Sequence, residues 1–339
     1  MKKTKKLIRN LAFFIILILI TFYIFFQNQN IGEIFEIIKT AKKGYVIIAI
    51  ICMCCFLSCE AMNIGRTLKN LNEKSSFMKN VKYALIGFFF SSITPAASGG
   101  QPMQIYYMHK DNIPVTKSTL ALLINLTCMQ IVTISLGILG AIVNFGYMNS
   151  PMKGLFVLGI TLNSIALTLL LVSIFSKEAT NKLIELSIKI LKFFKVKNME
   201  EKQKKIVDAL MKYQDNAEYL KEHKSEVMKN VIIAYIQYIA YYSISYFTYK
   251  AFGLNEQNII KIILLQALLY GTVSGIPSPG AVGVSEGGYM SLFEHIYTQN
   301  LLSSSMLLSR GISFYLFVAI SAIIVIINDL REKKQENVT

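Results

Sequence analysis

Two short stretches break otherwise apolar sequence with Gly, Pro and neutral hydrogen-bonding residues. The first reads Pro95-Ala96-Ala97-Ser98-Gly99-Gly100-Gln101-Pro102. The second reads Pro277-Ser278-Pro279-Gly280-Ala281-Val282-Gly283 and runs on through Ser285, Glu286, Gly287 and Gly288. A short helical run follows each break, with Pro102 expected at its first helical position and Ser285 at its N-cap. The free N–H groups and positive dipole end of such a helix stabilise an anion, a phosphate above all. Gly99, Gly100, Gly280, Gly283, Gly287 and Gly288 permit close backbone approach, while Ser98, Gln101, Ser278 and Ser285 add neutral donors and acceptors. Gly and Pro also serve merely to kink helices and let them pack. Two such breaks, polar in both, tip the balance toward a binding site.

Charges inside the apolar blocks are few: Glu60, Glu286, Glu294 and Arg310. Such residues are costly at membrane depth and default to functional candidates. Arg310, about two turns into the last block, has a guanidinium that forks onto two phosphate oxygens. An ion pair of Arg310 with Glu286 or Glu294, locking the last helix, is an equal alternative. Glu286 follows the second break, so it belongs near any cavity there. Glu60 is expected near the cytoplasmic boundary, within reach of Arg66, in a structural or interfacial role. His109, His223 and His295 are too scattered for a zinc site. No phosphate-binding loop, dinucleotide fingerprint or nucleophile–His motif is present, so neither a cofactor nor ATP hydrolysis on this chain is expected.

The elements that must position these residues are membrane spans. Of the 339 residues, 53% are hydrophobic and 16% charged, against about 25% charged in an ordinary soluble domain. The apolar residues gather in blocks of roughly 20, the length that crosses a ~30 Å hydrocarbon core. Full spans are predicted at 8–26, 44–63, 118–145, 154–175, 230–249 and 304–328. A short amphipathic helix over 31–43 precedes the second span at the outer interface. The apolar runs 81–94 and 103–108 are each too short to cross, as are the two parts of 258–298. Each pair reads as a re-entrant helical hairpin, since non-helical backbone at depth must pack in protein or line a wet cavity. Residues 176–229 read as a cytoplasmic amphipathic helical segment resting on anionic lipid. Cys52, Cys54, Cys55, Cys59 and Cys128 read as packed or lipid-facing thiols. With no Trp in the chain, Tyr235, Tyr238, Tyr241, Tyr242, Tyr246 and Tyr249 are expected to supply the interfacial belt.

The net charge of +15 reflects topology rather than nucleic-acid binding. Lys2, Lys3, Lys5, Lys6 and Arg9 precede the first block and place the N-terminus inside; no cleavage site follows, which predicts an uncleaved anchor. Only Lys39, Lys42, Lys43, Lys153, Lys250 and Lys261 fall outside in this arrangement, and both termini are cytoplasmic. The expected fold is thus an all-α polytopic membrane protein of six full spans and two re-entrant hairpins. Its halves, 1–145 and 154–330, form an inverted-topology repeat within one transmembrane domain, 1–339. Breaks at matching positions of such halves are the sequence pointer to a transport site.

Residues 92–110, around Pro95–Pro102, and 275–288 resemble the two signatures of the lysylphosphatidylglycerol synthase/flippase membrane-domain family, and the resemblance covers nearly the whole chain. It implies a flippase-like domain in the cell membrane. In the family's long members, the multiple peptide resistance factors, this domain precedes an aminoacyltransferase that loads lysine onto phosphatidylglycerol. The membrane part then moves the product outward, which confers resistance to cationic peptides. The present chain ends at Thr339 soon after the last span, so the membrane part alone is expected. The breaker Pro279-Gly280-Ala281-Val282-Gly283 has fewer glycines than many relatives would carry.

The leading expectation is a translocator of an anionic or aminoacylated phospholipid, phosphatidylglycerol or its lysyl ester. In it the two breaks, Arg310 and Glu286 hold the headgroup, with Arg310 near phosphate and Glu286 near any ammonium. A polyprenyl phosphate is a related cargo, and a small-solute transporter the second class. A phosphatidylglycerol lysyltransferase, the third, is disfavoured because no segment is large enough to be a catalytic domain. A separately encoded synthase and a second copy of this chain are the protein partners left open.

Overall fold

The computed structural model describes residues 31–94, 97–176 and 223–336, together with isolated positions 16, 23, 178, 182, 211, 217 and 218. Apart from those isolated positions, the predicted first span and residues 177–222 therefore lie outside the described residues, as do Pro95 and Ala96. The described chain is helical throughout, with no strand. Helix α1 (Ile31–Lys39) leads into α2 (Lys43–Asn70). Next come α3 (Phe77–Ser92), the first break, and α4 (Gly100–Lys110). Two long helices follow, α5 (Val115–Val143) and α6 (Ser150–Phe175). The second half holds α7 (Lys224–Ala251), α8 (Ile259–Val273), the second break, and α9 (Val284–Phe293). It closes with α10 (Gln299–Arg310), a π-helical turn (Gly311–Tyr315) and α11 (Leu316–Glu336).

Among the described residues, four helices are long and apolar enough to cross a membrane: Lys43–Asn70, Val115–Val143, Ser150–Ile174 and Gln299–Asp329. Their outward faces are apolar, as at Ile142, Val157, Leu158, Ile165 and Leu169. A soluble protein would not leave so much contiguous apolar surface in water. Helix α7 equals them in length but spends its positions on Tyr, Ser and Gln, and those face inward.

Long helix, broken pair, long helix: the pattern of α2 to α5 recurs in α7 to α11. The central helices α2 and α7 pack antiparallel along their whole length. Lys42 N–H donates to Ala251 O (2.9 Å) at one end, Phe56 meets Tyr238 midway, and Arg66 pairs with Glu226 (2.7 Å) at the other. Beyond them the packing is reciprocal. Helix α5 lies on α8 of the other half, and α11 lies on α3.

Both broken pairs turn back on themselves. At roughly 1.5 Å per residue, α3 reaches about 24 Å and α8 about 22 Å, short of a ~30 Å core. Lys82 near the start of α3 pairs with Asp111 just past α4 (2.6 Å), so that hairpin begins and ends at one end of the bundle. Arg66–Glu226 and Lys117–Glu73 (2.9 Å) gather there too. Burial alone would raise the Asp111 carboxyl, but hydrogen bonds from Lys82 and Tyr83 outweigh it and hold the group below the usual carboxylate range. The second hairpin opens on the opposite end, where Tyr297 past α9 packs on Tyr249 near the end of α7.

The interfacial tyrosine belt is not what forms. Tyr238, Tyr242 and Tyr249 are fully buried, and Tyr238, Tyr241 and Tyr242 cluster with Tyr270 of α8 inside the bundle. The spacing of three and four residues that puts these rings on one helical face also turns that face inward.

Candidate functional site

The two breaks open onto a common cavity of about 520 Å³ between the halves. The first break is closed locally. Gly99 N–H donates to Thr94 Oγ1 (2.9 Å), and the Thr94 hydroxyl donates to Phe90 O (2.6 Å). Gly99 rather than Pro102 flanks α4, and Pro102 sits within the first turn, where its missing N–H breaks no intrahelical bond. Gln101, in that turn, lines the cavity. Ser98 is exposed; Ser98, Gly99, Gly100 and Pro102 are off the cavity wall, with Gly99 and Gly100 lying against α3.

The second break contains a tight turn at Gly280 (φ 59°), whose α-carbon faces the Phe314 ring so closely that a Cβ would stand 2.2 Å from it. The cap of α9 falls on Gly283 (φ 87°), two residues before Ser285. The reason is Glu286: its Oε2 accepts from Gly283 N–H (2.7 Å) and closes the turn from inside the helix. Ser278, Gly280 and Ser285 line the cavity; Pro277, Pro279, Gly283, Glu286, Gly287 and Gly288 stand behind it. Gly288 lies against Leu269 of α8.

Arg310 reaches the cavity from the last turn of α10. Its Nε donates to Glu286 Oε1 (2.8 Å) and its Nη2 to Gly280 O (3.2 Å), with the guanidinium 4.4 Å from the Phe314 ring centre. Tyr315 hydroxyl donates to the same Glu286 oxygen (3.0 Å). Of the two pairings the sequence offers Arg310, the structure makes that with Glu286; Glu294 is exposed at the end of α9. Both Glu286 oxygens are engaged, so this carboxylate is committed to the clamp. The π-helical turn adds one residue per turn to the ladder, a deviation that recurs at functional sites. Here it presents Ser313 and Phe314 to the cavity beside Arg310.

Glu60 departs most from expectation. It is not tied to Arg66, whose partner is Glu226. It is 9% exposed, lines the cavity, and accepts from Gln104 Nε2 (3.2 Å). Gln104 also donates to Tyr83 O (3.1 Å) and fits because position 87 is Gly: a Cβ there would stand 2.3 Å from Nε2. Among the described residues no Lys, Arg or His pairs with Glu60.

Neutral groups finish the wall. Gln130 Nε2 donates to Asn163 Oδ1 (2.7 Å), and Asn163 Nδ2 donates to Gly271 O (3.2 Å) and Ser274 Oγ (3.1 Å), joining α5, α6 and α8. Phe56, Tyr238, Tyr241 and Tyr270 also face the cavity. Sequence reasoning gave Glu60 a structural or interfacial role and passed over Gln104, Gln130 and Asn163. A signal existed in polar residues recurring inside apolar helices, but which face each occupies depends on tertiary packing.

Over residues 10–321 the chain matches the lysylphosphatidylglycerol synthase TM region, and it belongs to that family. It is similar to the UPF0104 membrane protein of Pyrococcus horikoshii, 22% identical over 308 residues, covering 88% of this chain and 91% of the relative. The UPF0104 membrane protein of Methanothermobacter thermautotrophicus is 21% identical over 296 residues, 85% of this chain and 86% of its own. That of Archaeoglobus fulgidus is 21% identical over 328 residues, 93% and 95%. The chain is thus a multi-pass membrane protein of this family.

Proposed function

We propose that the chain moves a phospholipid between leaflets, an anionic or aminoacylated lipid of the lysyl-phosphatidylglycerol type. The observation that carries this reading is the convergence of both breaks on one cavity, with the first turns of α4 and α9 in its wall at Gln101 and Ser285. Helix starts favour phosphate oxygens, and Arg310 stands beside the second. A volume of about 520 Å³ falls in the range that encloses a small ligand. It accommodates a headgroup, and the acyl chains stay in lipid.

The arrangement proposed is six spans and two re-entrant hairpins entering from opposite faces, an inverted-topology repeat. The antiparallel α2–α7 pair and the reciprocal α5–α8 and α3–α11 packing support it. Basic residues gathered at one end of the bundle support cytoplasmic termini in a cell membrane. Such halves rock against each other around a fixed central site.

Leaflet exposure of fluorescent phosphatidylglycerol, its lysyl ester and a polyprenyl phosphate, in proteoliposomes holding only this chain, tests the reading. Selective exchange of one of the two phospholipids is expected. Exchange of the polyprenyl phosphate alone would replace the phospholipid as cargo, and movement of none of them would sink the translocation reading.

A further inference from the structure

Among the described residues, the one carboxylate in the cavity wall has no counter-charge. Arg310 is the wall's one cation among the described residues, and Glu286 already neutralises it at 2.8 Å. Glu60 receives only an amide hydrogen bond. A carboxylate nine-tenths buried in a membrane protein is costly without a cationic partner, and this residue lines the cavity.

The groups beside it are aromatic. Phe56 lies one turn before Glu60 on α2, so the ring and the carboxylate share a face. Phe56 meets Tyr238 at 5.8 Å and Tyr241 at 5.0 Å between ring centres; Tyr270 meets the same two tyrosines at 5.5 and 5.7 Å. The four rings form a closed circuit drawn from three helices, and all four also face the cavity. Aromatic faces carry negative potential and attract a cation, most strongly where water is excluded. Core packing alone would explain the rings, but not a bare carboxylate set among them.

We propose that Phe56, Glu60, Tyr238, Tyr241 and Tyr270 form a binding site for an organic ammonium group in the cavity wall. Glu60 supplies the charge and the hydrogen-bond acceptor, the rings supply cation–π contacts, and Gln104, seated over Gly87, holds the carboxylate in place. This assigns the ammonium to Glu60 and not to Glu286, whose oxygens are taken. The site rests on the translocation reading only for which molecule carries the ammonium. A headgroup bearing both phosphate and amine would then lie across the cavity, its phosphate toward Ser285 and Arg310.

The test is calorimetric titration of the purified full chain in detergent with lysine ethyl ester and with tetramethylammonium, at constant ionic strength. Saturable binding of at least one is expected, weakened at least tenfold in Glu60→Gln and in Tyr238→Leu and partly restored in Glu60→Asp. Glu294→Gln, exposed and off the wall, should bind as the parent does. Melting curves identify variants that are folded. Wild-type affinity in folded Glu60→Gln, or no saturable binding by the folded parent, would overturn the site; so would a Glu60→Gln variant altered only in its response to pH. The titration needs no transport, so its outcome is separate from that of the leaflet assay.

Discussion

Glu286→Ala removes the centre of the clamp on the second break. Three groups lose their acceptor together: Arg310 Nε, Gly283 N–H and the Tyr315 hydroxyl. The side chains of Arg310 and Glu286 are only 10% and 3% exposed, so water does little to compensate. Breaking a buried pair from one side costs about 3–5 kcal/mol, because the surviving charge stays buried. At about 2 °C per kcal/mol for a chain of this size, the melting midpoint should fall by about 6–10 °C. Cys59 and Cys128 are buried, so labelling by a maleimide dye during a thermal ramp reports unfolding in a protein that has no Trp. The double variant Glu286→Leu/Arg310→Met replaces both charges with apolar groups of similar size and should regain most of the loss. If Glu286→Ala melts with the parent, or the double variant is no more stable than the single, the clamp does not hold the break. A stable double variant that still exchanges lipid would also limit Arg310 to a structural role.

Gly87→Ala places a methyl against Gln104 and should displace the amide from Glu60 while leaving the fold intact; ammonium titration of the folded variant should show weaker binding. Gly280→Ala imposes a left-handed conformation on a residue with a side chain, costing about 1–2 kcal/mol, and drives a methyl into Phe314; a lower melting midpoint and slower leaflet exchange are expected. Lys82→Met tests the tie across the first hairpin. The folded-state pKa of Asp111 is depressed, so its contribution to stability is present above the unfolded value of about 3.9 and is lost as pH falls through the folded one. Melting midpoints should therefore fall in acid for the parent, and fall less steeply for Lys82→Met.

Spans and breaks could be read from the chain because each depends on local composition. Apolar runs of given length define α2, α5 and α6, and Pro-Gly clusters mark both breaks within a residue or two. The cap positions shifted because they depend on side chains reaching back, as Glu286 does to Gly283, and Pro102 gives no hint that Thr94 closes its turn. An ion pair of Arg310 with Glu286 or Glu294 was legible as an equal alternative to phosphate binding. Glu286 lies in the first turn of α9 and Glu294 caps its end, and only the placement of α10 decides between them. Glu60 and the tyrosines of α7 were misplaced for one shared reason. Tyr serves equally at a membrane interface and inside a bundle, and a Glu six residues from an Arg invites a local pairing. The α2–α7 packing sends Arg66 to Glu226 and turns Glu60 toward Phe56, Tyr238 and Tyr270.

Few charges within the spans argue, from sequence, against a polar transport path. The structure reverses the weight of that observation. Gln101, Gln130, Asn163, Gln266, Ser274 and Ser285 place neutral polar groups in a largely apolar wall. A transported species must be held firmly enough to enter and loosely enough to leave. Neutral hydrogen bonds contribute about 0.5–1.5 kcal/mol each, roughly half of what charged ones do. A headgroup can exchange them in succession without a deep trap, and a wall of Lys and Arg would retain a phosphate instead. Gln101→Lys adds one cation at the first turn of α4, facing the cavity. It should raise the amount of anionic lipid that copurifies with the chain and lower the rate of leaflet exchange. Faster exchange together with greater retention would show that entry of the headgroup, and not its release, limits the cycle.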